Sequence, residues 1–241
     1  MVSEWTKLRS LRSTWWTLAL AVLLGVGLAV TVAASLRADN LVAEELGADD
    51  LALVLGATGL TALVLGVLGA LQMSGEYASG TISVSLTAVP RRWPLLAAKA
   101  TVLTAVVAPV SLTISVGALL LGDAIVTDGL TYSWPAVLGN TLYLTAVAVL
   151  GLGLATMLRG TPTSVTVLVA LVFVLPPLLP ALPWGWADSV AAYLPGAAGE
   201  SLISTIPGTG ALGDLTAIRT LVAWSLVPLA AGASLLTRRD A

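Results

Sequence analysis

The chain has 241 residues, of which 57% are hydrophobic and 10% charged. Soluble domains carry about 25% charged residues, so this composition excludes a soluble globular enzyme, and its high hydrophobicity excludes a disordered chain. The net charge is −2, and cysteine and histidine are both absent; that removes disulfides, thiolate chemistry, Ser–His hydrolysis and nearly all zinc or haem ligation.

Residues 4–16, EWTKLRSLRSTWW, come first. On a helical wheel Trp5, Leu8, Leu11 and Trp15 share an arc of roughly 120°, with Lys7 and Arg9 beside it, the pattern of a helix lying in the membrane interface. Arg12 intrudes on the arc, where its stem can snorkel. A basic anchor that only fixes orientation reads equally well. Uncharged stretches then recur along the chain, and the spans they predict cover about 14–36, 51–73, 100–121, 136–158, 163–181 and 217–237. At about 1.5 Å per residue each crosses roughly 30 Å of hydrocarbon, the uncharged part of the last, 220–237, only just. None shows the apolar/polar alternation of a membrane barrel. The expected architecture is an all-α membrane protein of six transmembrane helices, residues 1–241 forming one transmembrane domain.

The connecting pieces differ in character. The 37–50 loop carries Asp39, Glu44, Glu45, Asp49 and Asp50 without the spacing of a calcium loop, and reads as solvated. The 72–99 stretch, QMSGEYASGTISVSLTAVPRRWPLLAAK, is the longest excursion on its side. Ile82, Leu86 and Val89 recur there at i, i+4 and i+7, the stripe of a short amphipathic helix ended by Pro90. It is either a handle for a cytosolic partner or an elbow that hugs the membrane. Residues 181–215 hold Pro183-Trp184-Gly185-Trp186, Leu194-Pro195-Gly196 and Ile206-Pro207-Gly208. Apolar residues punctuated by turn signals predict interfacial or re-entrant helices, which are tolerated at membrane depth only when buried in protein or lining a cavity.

Cations set orientation. With both termini in the cytoplasm, Lys7, Arg9, Arg12, Arg91, Arg92, Lys99, Arg159, Arg238 and Arg239 are inside, nine of the eleven basic residues, leaving Arg37 and Arg219 outside. Tryptophans agree: Trp5, Trp15, Trp16 and Trp93 fall near the inner boundary, Trp134, Trp184 and Trp186 near the outer one, and only Trp224 within a span.

A phosphate-binding loop needs Gly-Lys followed by Ser or Thr. Lys7 and Lys99 are followed by Leu8 and Ala100, so the chain does not bind ATP by that route. No ionisable residue is expected at mid-membrane, which disfavours proton- or sodium-coupled transport. Gln72, Asn140 and Tyr143 are the polar candidates for a pathway, or else supply interhelical hydrogen bonds. Ala52 and Gly56, Ala62 and Gly66, Gly66 and Ala70, and Gly151 and Ala155 are small-xxx-small pairs that permit close helix packing.

Three segments carry a family likeness. The N-terminal EWTKLRSLRSTWW, the GEYASGTISVSLTAVPRRWPLLAAK at 75–99, and Leu194-Pro195-Gly196 with Ala198-Gly199-Glu200 together resemble the membrane permease subunits of type-2 ATP-binding-cassette exporters, particularly the single-domain actinobacterial kind. The resemblance runs along the whole chain, and the second segment is its most specific part. It implies a multi-pass protein of the bacterial cell membrane with no catalytic, cofactor or metal site of its own. ATP and magnesium would be handled by a separate cytosolic ATPase, and a second permease subunit would complete a homodimer or heterodimer in contact with lipid, without nucleic acid. The 79–89 helix would be the coupling helix: Ile82 and Leu86 seat it, while Glu76, Ser83, Thr87, Arg91 and Arg92 face the ATPase or adjacent lipid. Residues 181–215 would form the outer gate. Substrates by similarity are a hydrophobic drug, an antimicrobial peptide, a lipid or a polysaccharide, with efflux of a drug, antibiotic or peptide, as in antibiotic resistance, favoured. The competing readings are a non-transporting anchor or assembly protein that recruits a cytosolic partner, and a channel-forming homo-oligomer.

Overall fold

The computed structural model describes residues 12–38, 50–78, 92–126, 129–206 and 210–238, with the side chains of Arg92, Thr237 and Arg238 left aside. Within these residues the chain is helical and contains no strand. The helices are α1 (Arg12–Ala38), α2 (Asp50–Ala57), α3 (Gly59–Ala78), α4 (Arg92–Ile125) and α5 (Trp134–Leu158). The fifth span is composite: α6 (Thr161–Val169) runs into a π-helical turn at Ala170–Val174, then α7 (Leu175–Leu178) and a 3₁₀ turn at Leu179–Ala181. Two short helices, α8 (Ala187–Ala192) and α9 (Pro195–Ile203), precede α10 (Asp214–Arg238). Six helices are long and apolar enough to cross a membrane, α2 and α3 together making the second. An even number of crossings leaves Arg12 and Arg238 at one end of the bundle, the terminal end; the opposite end is the far end.

The spans exceed the uncharged runs because charged residues continue the helices beyond them. The third span is helical from Trp93, well before position 100, and takes in Pro94 and Lys99. Trp15, expected in a separate interfacial helix, stands in the first turns of α1, which is continuous from Arg12; Trp5, Lys7 and Arg9 lie outside the described residues.

The core is organised about α5, which is 78% buried along its most apolar stretch, against 17% for the fifth span. Ser133 caps its first turn by accepting from the Ala136 N–H, and Pro135 follows at a position where no N–H is needed. Its end is set by Arg159 in the left-handed region, φ 59°, with the guanidinium 5.5 Å from the centre of the Tyr77 ring. The contact of α3 with α5 is the most extensive between helices. It is so close that a Cβ on Gly151 would overlap the Gly66 carbonyl oxygen, and one on Gly69 would overlap that of Ala148. The pairing of small residues is what lets two backbones touch in the absence of a hydrophobic force between helices in lipid. α10 packs on another side of α5, and α4 on a third.

Between α2 and α3 the second span breaks at Thr58. Its hydroxyl donates to the Leu55 carbonyl at 2.7 Å, an intrahelical alternative to the regular ladder. Asn140 of α5 donates to the Thr58 hydroxyl at 2.9 Å and to Ser115 of α4 at 3.0 Å. One buried amide thus ties three spans together at the break.

Candidate functional site

The far end is closed in part by the segment that joins the last two spans. Its helices do not lie on top of the bundle. Trp224, ten residues into α10, donates its indole N–H to the Tyr193 carbonyl at 2.8 Å, and ten residues of helix rise about 15 Å. That bond explains the one tryptophan expected within a span: the indole N–H meets an acceptor at depth. Gly199 lies against the Tyr143 ring, where a Cβ would come within 2.5 Å of Cδ2. Gly196 lies against the π-turn, where a Cβ would sit 2.7 Å from the Val172 carbonyl oxygen. The turn signals at Leu194-Pro195-Gly196 therefore mark a hairpin that enters the bundle, and its backbone is covered by protein as depth requires.

Beneath and beside this hairpin is a cavity of about 540 Å³, within the range of small-molecule sites. One wall is Leu55, Gly56, Gly59 and Leu60, the residues on either side of the Thr58 break. The facing wall is Val172, Phe173, Pro176, Pro177 and Pro180 of the fifth span. That wall owes its shape to the π-turn, where the Leu175 N–H donates to the Ala170 carbonyl five residues back; the widened turn comes just before two prolines that have no N–H to offer the ladder. α9 supplies Gly196, Gly199 and Glu200, α8 supplies Asp188, and α5 supplies Asn140 and Tyr143.

The polar groups of the cavity are unlike one another. Asn140 is 2% exposed and is held by Thr58 and Ser115, so its amide belongs to the helix-tying cluster even where it meets the cavity. Tyr143 is 8% exposed, and its hydroxyl makes no hydrogen bond to any described residue. Glu200 opens onto the cavity and is exposed there, as is Asp188; the apolar residues packed about Glu200 still push its carboxyl above the usual carboxylate range. Asp188 and Glu200 are the charged residues of the lining, and no cation lines the cavity among the described residues.

Of the three residues expected to mark a pathway, the structure brings two together. Asn140 and Tyr143 share the cavity; Gln72 stands near the opposite end of α3, where its Nε2 is buried without a hydrogen-bond partner. A hydropathy run gives no depth along the span, and no sequence signal separated these three. Glu200 entered the sequence reading only as part of a family motif, and Asp188 only as one unmarked position of the 181–215 stretch. Both lie in a cavity that comes from residues far apart in the chain.

At the terminal end Glu76, expected to face the ATPase or adjacent lipid, takes part in an ion pair. Its carboxylate lies 2.8 Å from the Lys99 ammonium, with the side chains 11% and 3% exposed. The pair joins the end of α3 to α4. Ile82, Ser83, Leu86, Thr87 and Arg91 lie outside the described residues, and of Arg92 only the backbone is described.

No curated protein matches the sequence. The family model described as ABC-2 family transporter protein matches residues 2–241, nearly the whole chain. With six apolar spans and that match, the chain belongs to the ABC-2 transporter family: it is a multi-pass cell-membrane component of an ATP-binding-cassette transporter, whose ATP is hydrolysed by a separate partner ATPase.

Proposed function

We propose that the chain is the permease subunit of an exporter, contributing half of a substrate pathway, with its terminal end in the cytoplasm and its far end outside. Two copies, or one copy and a related permease, enclose the pathway. The cavity between the Thr58 break and the π-turn is this subunit's share of the outer vestibule, and the α8–α9 hairpin is its gate. The single observation that carries the reading is that cavity, walled by the second and fifth spans and covered by a hairpin that enters the bundle. The fifth span, only 17% buried, leaves a face for the second subunit. Its cargo is a hydrophobic or amphipathic compound, in keeping with an apolar vestibule.

Coupling belongs to residues 79–89. Ile82 and Leu86 seat the segment, and Ser83, Thr87, Arg91 and Arg92 meet the ATPase or anionic lipid. Glu76 acts at one remove, by holding the end of α3 against α4 through Lys99. Affinity purification of the tagged permease from its own cells tests this. We expect an ATP-binding-cassette ATPase to co-purify, and Leu86→Asp to lose both that ATPase and export at unchanged permease levels. A Leu86→Asp permease that is normally produced, retains the ATPase and still exports would rule out the coupling assignment.

A further inference from the structure

We infer that the far-end cavity selects amphipathic organic cations, with Glu200 and Asp188 as the groups that read the charge. This rests on the permease reading and names its substrate class. The apolar walls alone would take any hydrophobic compound of suitable size. What distinguishes the cavity is that two carboxylates line it and, among the described residues, no cation does. Both are exposed to the cavity space and so within reach of what enters it. Glu200 has no ion-pair partner among the described residues, and the apolar residues around it disfavour its charged form. A cation that entered would offset that cost, whereas an anion would meet two carboxylates at the mouth of an apolar site.

A second observation independently calls for a ligand. Tyr143 is more than nine-tenths buried, lines the same cavity, and has a hydroxyl with no hydrogen-bond partner among the described residues. The hydroxyl is not itself sealed off, so it meets the cavity space, where a ligand can supply the partner that the described residues do not. Its ring is fixed by contact with Gly199, one residue before Glu200. Phenol and carboxylate therefore reach the cavity from adjoining positions, and Phe173 adds a second aromatic ring to the lining. Rings beside a carboxylate favour a cation with apolar substituents over a small, strongly hydrated one.

Tetraphenylphosphonium and tetraphenylborate share a shape and differ in charge, so they make the test. Full-length protein in lipid nanodiscs is titrated with radiolabelled tetraphenylphosphonium, and uptake by empty nanodiscs is subtracted. We expect saturable binding of the cation; labelled tetraphenylborate, titrated in separate samples because the two ions pair with each other, should show none above empty nanodiscs. The double variant Glu200→Gln/Asp188→Asn should bind about tenfold more weakly, Glu200→Asp should stay within about threefold of the parent, and Tyr143→Phe should bind a few-fold more weakly. Equal binding by the parent and the double variant overturns the inference. So does saturable binding of tetraphenylborate as tight as that of the cation, or an absence of cation binding above empty nanodiscs. The last two measurements use the parent protein alone and hold even if the double variant fails to fold. A permease that captures its ATPase yet ignores charge overturns this inference and leaves the permease reading standing.

Discussion

Glu76 and Lys99 show what a single residue is for better than its position in a loop or span does. Each charge alone would be costly among apolar helices, and together, at 2.8 Å, they make a short charge-assisted bond that closes the end of α3 onto α4. Removing one partner takes this bond from the other. Lys99→Met should therefore cost about 1.5–3 kcal/mol, and Glu76→Gln/Lys99→Met should recover part of it. Unfolding in detergent, followed through the double-mutant cycle, measures this; a Lys99→Met protein as stable as the parent would contradict it. Sequence reading placed both charges on the correct side of the bundle but not in contact. They are 23 residues apart, and pairing across a loop leaves no periodic trace. The available signal was two opposite charges at the facing ends of consecutive spans. Asn140 was legible as polar and within a span, and its role was not, because an amide that ties helices and an amide that lines a pathway occupy the same place in a hydropathy profile.

At the scale of elements, apolar runs and small residues were the legible features. Six uncharged stretches became six spans, since length and hydropathy are what the bilayer selects. The pairing of Gly66 with Ala70 and of Gly151 with Ala155 pointed to tight packing, and α3 does cross α5 at Gly66 and Gly151. The break at Thr58 and the π-turn at Ala170–Val174 were not legible. Neither changes hydropathy, and each depends on partners elsewhere: Asn140 in the first case, the α9 backbone in the second. The glycine crossing is directly testable. Gly151→Ala should cost about 1–3 kcal/mol through overpacking against the Gly66 backbone, read as a lower melting temperature of the purified protein. Gly27→Ala in α1, where an added Cβ meets nothing within 4 Å, should be neutral or slightly stabilising. Equal loss at both positions would mean that the crossing does not set the effect.

For the whole molecule, the distribution of charge gives an orientation that packing does not. In the sequence nine of eleven cations belong to segments that the six-span topology assigns to the terminal end, and the proposal that this end is cytoplasmic rests on the positive-inside bias. A chain without cysteine allows a clean readout. Asp240→Cys and Arg92→Cys should react with a membrane-impermeant maleimide only after the cytosolic side is opened, and Glu45→Cys should react in intact cells. Labelling of position 92 from outside would invert the molecule and move the hairpin and its cavity to the cytoplasm. The cavity itself was the least legible feature of the sequence. Its walls come from α2, α3, α5, the π-turn, α8 and α9, and only their assembly brings Asp188 and Glu200 into one lining.

The π-turn has a consequence for which kinds of genetic change this protein tolerates. A turn of five residues is an α-turn with one residue added, and one residue corresponds to about 100° of helical phase. Deleting any residue between Ala170 and Val174 would leave the span apolar and long enough to cross. The widened turn, in which the Leu175 N–H reaches back five residues to Ala170, would close to an ordinary α-turn, so Pro176, Pro177 and Pro180 would keep most of their bearing relative to Thr161–Val169. A deletion in the regular helix on either side, with no widened turn to take it up, would swing everything beyond it by about 100°. The fifth span thus carries its spare residue at Ala170–Val174, and that is where the loss of one codon disturbs the rest of the span least.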